Sequence, residues 1–472
     1  MQKSNLSFWG GVGMVTGSNF KLEIPGASTD GNAGTVMVDC GMFQGGAQAH
    51  EKNREKFPYN PSDVDVLLVT HAHIDHIGRI PKLVRDGFAG KIFSTPQTKA
   101  IATLMFEDTV KILAEEARRH GDGQPLYDQQ DASKALSMWE TRPYREAFEI
   151  FPEAPADVKV TAEFLDAGHI LGSAMVRLTR TVDGKTRNIT FSGDVGNSPS
   201  PIVRDAEPVT GANYLVLDST YGDRNHESRE DTEKKFAQIV KRVIAQKGTL
   251  LVPVFSLERA HIILFQLNNL VESGAIQPLP VFLDSPLAMR LTPIYQSSRE
   301  LFNETAQKHF ANGDDIFSFS KLKIVHNNGE SSAIERVAGP KIIIAGSGMS
   351  VGGRIPAHEI NLLPDPNTTL LITGYQSFGT LGRAIADGQK VVTITGQQVE
   401  VRAKIESVQG FSAHKDSEAM LEFVDTASET LEKVFVVHGE PKSALFLVQR
   451  IRDYLDVEAV APERGKGYEI EF

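Results

Sequence analysis

The segment His71-Ala72-His73-Ile74-Asp75-His76 constrains this chain more than any other, because it puts three imidazoles and a carboxylate within six residues. It follows the apolar, β-branched run Val64 to Thr70 and precedes a helix-like stretch beginning near Ile77, so it reads as a loop at the end of a buried strand. Imidazole nitrogen and carboxylate oxygen are the ligands zinc takes when cysteine is absent. Close spacing on a strand-end loop lets several of them converge at little cost in loop entropy. Cys40 is the only cysteine in 472 residues, which excludes an internal disulfide framework and a cysteine-built zinc finger. Any metal must be held by His, Asp and Glu.

The same placement recurs. His169, within Asp166-Ala167-Gly168-His169-Ile170-Leu171-Gly172, follows a strand-like run, and Asp194, within Ser192-Gly193-Asp194-Val195-Gly196, ends another. Thr35 to Cys40, Asn188 to Ser192 and Tyr214 to Leu217 also read as buried strands, and Thr98 to His120 has helical spacing. The first half is therefore mixed α/β, with its polar residues at strand ends. From about Tyr221 a second series begins: a helix near Asp231 to Gln246, then strands Thr249 to Phe255, Val281 to Leu283, Lys341 to Ala345 and Thr369 to Thr373, with helices between. That rhythm predicts a separate parallel-sheet domain. Near Gly410 the pattern changes again, to a Ser-Ala-His turn, a helix from Lys415 to about Thr426, the strand Val434 to Val437, and His438.

Hydrophobic residues at 41% and charged residues at 23% suit a folded protein with more than one core. The net charge of -11 argues against binding nucleic acid through broad positive charge, so a local site must carry any such attraction. No apolar run approaches the roughly 20 residues needed to span a bilayer, and Met1 to Asn5 lack a signal-peptide pattern. The expectation is a cytosolic chain with no membrane partner.

His71, His73, Asp75 and His76 match the signature of the metallo-β-lactamase superfamily, and Asp39, His169 and Asp194 fall where its other motifs belong. Asp218 in Leu217-Asp218-Ser219-Thr220 resembles motif A of the β-CASP nucleases, His414 in Phe411-Ser412-Ala413-His414 resembles motif B, and His438 in Val437-His438-Gly439 resembles motif C. The resemblance runs from Val15-Thr16-Gly17-Ser18 to the last motif. It implies a four-layer αββα sandwich interrupted by an inserted parallel-sheet α/β β-CASP domain, with residues 1–221 and 410–472 forming the sandwich and 222–409 the insert. It also implies two zinc ions, with manganese as the alternative metal. His71, His73 and His169 would hold one ion, Asp75, His76 and His438 the other, and Asp194 would bridge them. Asp39 would orient a ligand imidazole or its loop. The other seven histidines, His50, His120, His226, His261, His309, His326 and His358, read as surface or core residues.

A site of this kind activates water for phosphodiester hydrolysis. Asp75 can accept or orient a proton as well as bind metal, and His414, paired with Asp218, is the expected acid for the leaving alkoxide. RNA contacts are expected from Ser412 and from two glycine-rich loops. Gly346 to Arg354 supplies Gly348 and Arg354, and Gly374 to Arg383 supplies Tyr375 and Arg383, with Tyr375 or Phe378 able to stack on a base. The expected function is hydrolysis of RNA, in endonucleolytic or 5′-exonucleolytic mode. A thioester hydrolase or β-lactamase would need neither the insert nor motifs A to C. The DNA-processing branch of the resembled family has valine at motif C, so His438 favours RNA, and a non-catalytic scaffold subunit would have lost ligands that this chain keeps. The oligomeric state is left open, a homodimer included.

Overall fold

The computed structural model describes residues 2–28, 33–45, 48–155 and 158–472. The chain divides into two compact units, one comprising Met1–Gln44, Gln48–Asn225 and His414–Phe472, the other Gly45–Ala47 and His226–Ala413.

In the first unit two seven-stranded sheets pack face to face. Strands such as Asn19–Ile24 and Val158–Asp166 alternate buried and part-exposed residues, turning an apolar face inward, while Gly34–Val38, Val66–Leu68 and Tyr214–Asp218 are buried throughout. Leu6, Phe8, Phe20, Leu22 and Val36 meet Phe164, Val176, Ile189, Phe191, Val216 and Phe435 in one buried core. The outer face of the second sheet is covered by helices Ser417–Asp425 and Pro441–Leu455 through Leu215, Leu217, Met420, Val424, Leu447 and Ile451. On the other sheet Phe106, from the helix Pro96–His120, lies 6.3 Å from the Trp139 ring. That helix starts at Thr95, whose side chain accepts from the Thr98 amide, has Pro96 in its first turn, and stops at Gly121 with φ 75°. The arrangement is the expected mixed α/β sandwich.

Register places the chemistry at one edge of these sheets. Gly34–Val38 and Val66–Leu68 pair in parallel with Val38 opposite Leu68, so the chain leaves both at the same end, into Asp39 and into the His71 loop. In the second sheet Lys185–Phe191, Tyr214–Asp218 and Lys433–Val437 are parallel neighbours, with Asp218 opposite Val437. Asp194, Asp218 and His438 therefore sit at or just beyond the carboxyl ends of adjacent strands, where ligands collect in sheets of this kind.

The second unit is built on a six-stranded sheet in the order Leu322–Ile324, Val281–Asp284, Lys341–Ala345, Thr249–Pro253, Thr368–Ile372, Lys404–Ser407. Every pairing is parallel. The four inner strands are buried throughout, which explains their continuous Ile, Leu and Val runs. A hairpin of Val391–Ile394 and Gln397–Glu400 turns through Thr395 and Gly396, both at positive φ, as a tight two-residue turn requires. Among the described residues no helix is long and apolar enough to cross a membrane.

Candidate metal centre

Asp39 organises the centre from beneath. It is fully buried, and its Oδ1 accepts the Thr70 amide at 2.8 Å. Its Oδ2 accepts the Thr70 hydroxyl at 2.8 Å and faces His76 Nδ1 at 2.7 Å. With Nδ1 held by a carboxylate, His76 presents Nε2 to the site. The loop carrying Asp75 packs against Gly41 so closely that a Cβ there would fall 1.5 Å from the Asp75 carbonyl oxygen. Only glycine allows that approach.

Six side chains with Asp194 converge as two clusters. His71, His73, His169 and Asp194 form one, and Asp75, His76 and His438 the other. In the first, His71 Nε2 lies 3.1 Å and His169 Nε2 3.3 Å from His73 Nδ1. In the second, His438 Nε2 lies 3.6 Å from Asp75 Oδ2. Asp194 faces both clusters. Its Oδ2 is 3.4 Å from His71 Nε2 and 3.5 Å from His169 Nε2, while its Oδ1 is 3.2 Å from His76 Nε2 and 3.6 Å from His438 Nε2.

The electrostatics suit a cation. Burial, reinforced by neighbouring imidazoles, holds His71 and His169 well below the usual histidine range, and burial lowers His73 to about 4, so all three keep lone pairs at neutral pH. Burial also resists charge on His76 and on Asp194. Asp194 and Asp39 nevertheless raise His76 well above its ordinary value, and the surrounding imidazoles pull Asp194 well below its own. His76 Nε2 and Asp194 Oδ1 are buried and make no hydrogen bond, although they lie within hydrogen-bond distance of each other. Buried polar atoms are almost always satisfied. Two orphaned atoms that lie side by side in a His and Asp cluster, close but not aligned to bond each other, are what metal ligands look like, and the donor set fits zinc.

His414 and Asp218 form the adjoining pair. Asp218 Oδ2 accepts from His414 Nδ1 at 3.0 Å, and Oδ1 accepts both the amide and the hydroxyl of Thr220 at 2.8 Å. His414 Nε2 then points towards Asp194 Oδ2, 3.9 Å away. Burial opposes charging this imidazole, but Asp218 and Asp194 outweigh it and its pKa is raised.

Three hydroxyls escape a reading of the sequence. Ser18 Oγ lies 2.8 Å from His438 Nδ1 across 420 residues, Thr70 Oγ1 lies 3.1 Å from His71 Nδ1, and Ser173 Oγ accepts the His169 amide at 3.0 Å. The Val-Thr-Gly-Ser segment marks Ser18 as part of a motif, but nothing local names its partner.

The residues expected to contact RNA lie in the second unit. Ser412 is buried, with its amide donating to the Gln409 carbonyl at 2.8 Å, and Tyr375 is half-buried. The bare face of Gly348 is filled by Phe255, whose ring a Cβ would meet at 2.6 Å, so this glycine serves packing. Arg354, expected to contact phosphate, is held by partners within its own unit. Its guanidinium pairs with the fully buried Asp284 and also donates to the Val325 carbonyl, while His358 Nε2 and Ser331 Oγ take the other Asp284 oxygen at 2.7 and 2.5 Å. A buried carboxylate needs a counter-charge, and Arg354 is that counter-charge. Arg383 pairs with Asp387 at 2.9 Å on the surface.

A model of the metallo-β-lactamase superfamily matches residues 29–169, one of the Beta-Casp domain matches 260–385, and one of the Zn-dependent metallo-hydrolase RNA specificity domain matches 398–462. Ribonuclease TTHA0252 of Thermus thermophilus is 34% identical over 412 residues, covering 87% of this chain and 89% of that protein. The chain belongs to the β-CASP family of the metallo-β-lactamase superfamily. Within that family it is also similar to the transcription termination factor FttA of Methanosarcina mazei, 29% identical over 96% of this chain and 69% of that protein. FttA of Pyrococcus horikoshii is 30% identical over 84% of this chain, which spans 60% of that longer relative. The third model match contains both His414 and His438, and the first contains His71, His73, Asp75, His76 and His169.

Proposed function

We propose that this chain is a two-zinc ribonuclease that hydrolyses RNA phosphodiesters in the cytosol. The observation that carries the reading is Asp194, which turns one carboxylate oxygen to each of two His and Asp clusters. A single-metal site would leave one of those faces without a purpose. His71, His73 and His169 would hold one zinc, Asp75, His76 and His438 the other, with Asp194 shared. When bound, such a pair lowers the pKa of a coordinated water and offsets negative charge building on the phosphate.

The protein's own groups supply the remainder. Asp75, half-buried beside His438, is the carboxylate able to take the attacking water's proton. His414 gives a proton from Nε2 to the departing oxygen, and Asp218 holds Nδ1–H and stabilises the imidazolium. Residues 1–221 and 410–472 would carry this machinery, and the insert 222–409 would hold RNA. The similarity to a ribonuclease over nearly nine-tenths of both chains supports RNA as substrate. The test is elemental analysis joined to cleavage of a 5′-labelled RNA. About two zinc ions per chain with RNA cleavage supports the reading. Active protein with less than about half an ion per chain refutes two zincs, and activity restored by manganese alone changes the metal while keeping the site.

A further inference from the structure

Phe378 is the most exposed large apolar side chain among the described residues, at 80%. Its exposure is not looseness. Ser377 to Thr380 forms a tight turn closed by the Thr380 amide to the Ser377 carbonyl at 3.2 Å, with Gly379 at φ 82°, so Phe378 stands at the corner. Thr380 Oγ1 also donates to the Ser377 carbonyl at 2.8 Å, and Thr380 caps the helix Leu381–Ala386 that follows.

The turn is fastened to the other glycine-rich loop. Gln376 Nε2 donates to the Gly348 carbonyl at 2.9 Å, and the Gly382 amide donates to the Met349 carbonyl at 3.0 Å. That second loop exposes Val351 at 59%, with its backbone pinned on both sides by Ser347 Oγ. Both loops leave the carboxyl ends of parallel strands, and neither Gly346 to Gly353 nor Gly374 to Gly382 contains an acidic residue. Of the cations that follow, Arg354 is taken by the buried Asp284, and Arg383 stands in a weak surface pair with Asp387. In a chain of net charge -11 with one exposed arginine here, a contact that is not electrostatic would add to affinity for a polyanion.

We propose that Phe378 is a preorganised platform on which an unstacked base of single-stranded RNA lies. Every base offers a π-face, so the contact is tolerant of sequence, and the fixed turn spares the ordering cost of a mobile side chain. This rests on the ribonuclease reading and adds to it the residue that holds a base of the substrate.

The test measures binding of the zinc-loaded protein to a labelled single-stranded oligoadenylate and to the same sequence in a duplex, by stopped-flow mixing before cleavage. Phe378→Ala should weaken single-strand binding by about tenfold, keep the zinc content, and leave the slope of log affinity against log salt unchanged, since no phosphate contact is lost. Phe378→Trp should restore affinity, with its fluorescence quenched by RNA, whereas Phe378→Leu should not. Single-strand affinity unchanged in Phe378→Ala overturns the proposal and leaves Phe378 without a part in RNA binding, and affinity fully restored by Leu overturns stacking and leaves a plain apolar contact. Wild-type protein that binds no RNA overturns the ribonuclease reading and this inference together.

Discussion

Replacing Asp218 by Asn should be as damaging as removing His414 outright, and the hydrogen bonds at Asp218 say why. Oδ1 accepts two short bonds, from the amide and hydroxyl of Thr220 at 2.8 Å, while Oδ2 accepts from His414 Nδ1 at 3.0 Å and only distantly from the Val195 amide at 3.4 Å. An asparagine must keep its oxygen towards Thr220, so its NH₂ group turns to His414. The imidazole then has to offer Nδ1 as an acceptor and carry its proton on Nε2, a neutral ring that is a very weak acid. His414→Ala removes the same donor by deletion. Each variant should slow cleavage by ~10²- to 10⁴-fold, the range for a positioned general acid, which is about 3 to 5 kcal/mol of barrier. The double variant should be scarcely slower than either single one, because the two residues act as a unit. Zinc content should be unchanged in all three. In the wild type the Asp218 carboxylate on Nδ1 favours the imidazolium, and the acid form is lost as pH rises, so cleavage should fall on the alkaline side. The assay is single-turnover cleavage of a labelled RNA, repeated with a substrate whose leaving atom is sulfur. A thiolate needs no proton, so this substrate should recover much of the lost rate in both single variants. Absence of rescue, or a His414→Ala protein emerging without zinc, would refute the acid role and make His414 a ligand or a structural residue.

Three further outcomes follow from the same contacts. Ser18→Ala leaves His438 Nδ1 without its buried partner and should weaken zinc binding about 10- to 100-fold in a chelator competition while the fold stays intact; an unchanged zinc affinity would show that Ser18 only packs. Glu359 is fully buried, its Oε1 accepting from Ser350 and its Oε2 unpaired, and burial raises it to about 8. Its folded pKa lies above the unfolded one, so it subtracts stability progressively from about pH 4.5 to 8, and Glu359→Gln should be more stable than wild type by up to ~3 kcal/mol at pH 7 and by nothing extra near pH 4. Chemical denaturation at several pH values decides this, and a difference independent of pH would count against it. Arg354→Ala should cost roughly 3 kcal/mol by stranding Asp284, whereas Arg383→Ala should change stability by less than about 0.5 kcal/mol; equal melting temperatures for the two would contradict the assignment of Arg354 to Asp284.

What is legible in the sequence and what is not divides by distance along the chain. The inner strands of both units are readable because full burial demands unbroken runs of Ile, Leu and Val, as in Lys341–Ala345 and Thr368–Ile372. The edge strands Leu322–Ile324 and Lys404–Ser407 are not, since half their residues face water and nothing in Lys-Ile-Glu-Ser distinguishes a strand from a loop. The hairpin at Thr395-Gly396 hides for a related reason, being short and polar on one face. The metal clusters follow the same division. His71, His169, Asp194 and His438 each announce themselves by standing just past a hydrophobic run; parallel register delivers His71, Asp194 and His438 to one edge, and two successive antiparallel pairings bring the end of Val158–Asp166, and with it His169, to the same edge. The groups that aim them do not announce themselves. Ser18 finds His438, Asp39 finds both Thr70 and His76, and Asp284 takes Arg354, all across long separations and all through residue types that serve equally well in turns. A glycine-rich loop ending in arginine looks the same whether the guanidinium faces a phosphate or a buried aspartate. Only the position of Asp284 at the end of Val281–Asp284, inside the reach of that loop, decides between them. Chemistry carried by strand ends can therefore be read from one sequence, while the orientation that makes a ligand or a counter-ion of a given side chain is set by partners that only the fold brings together.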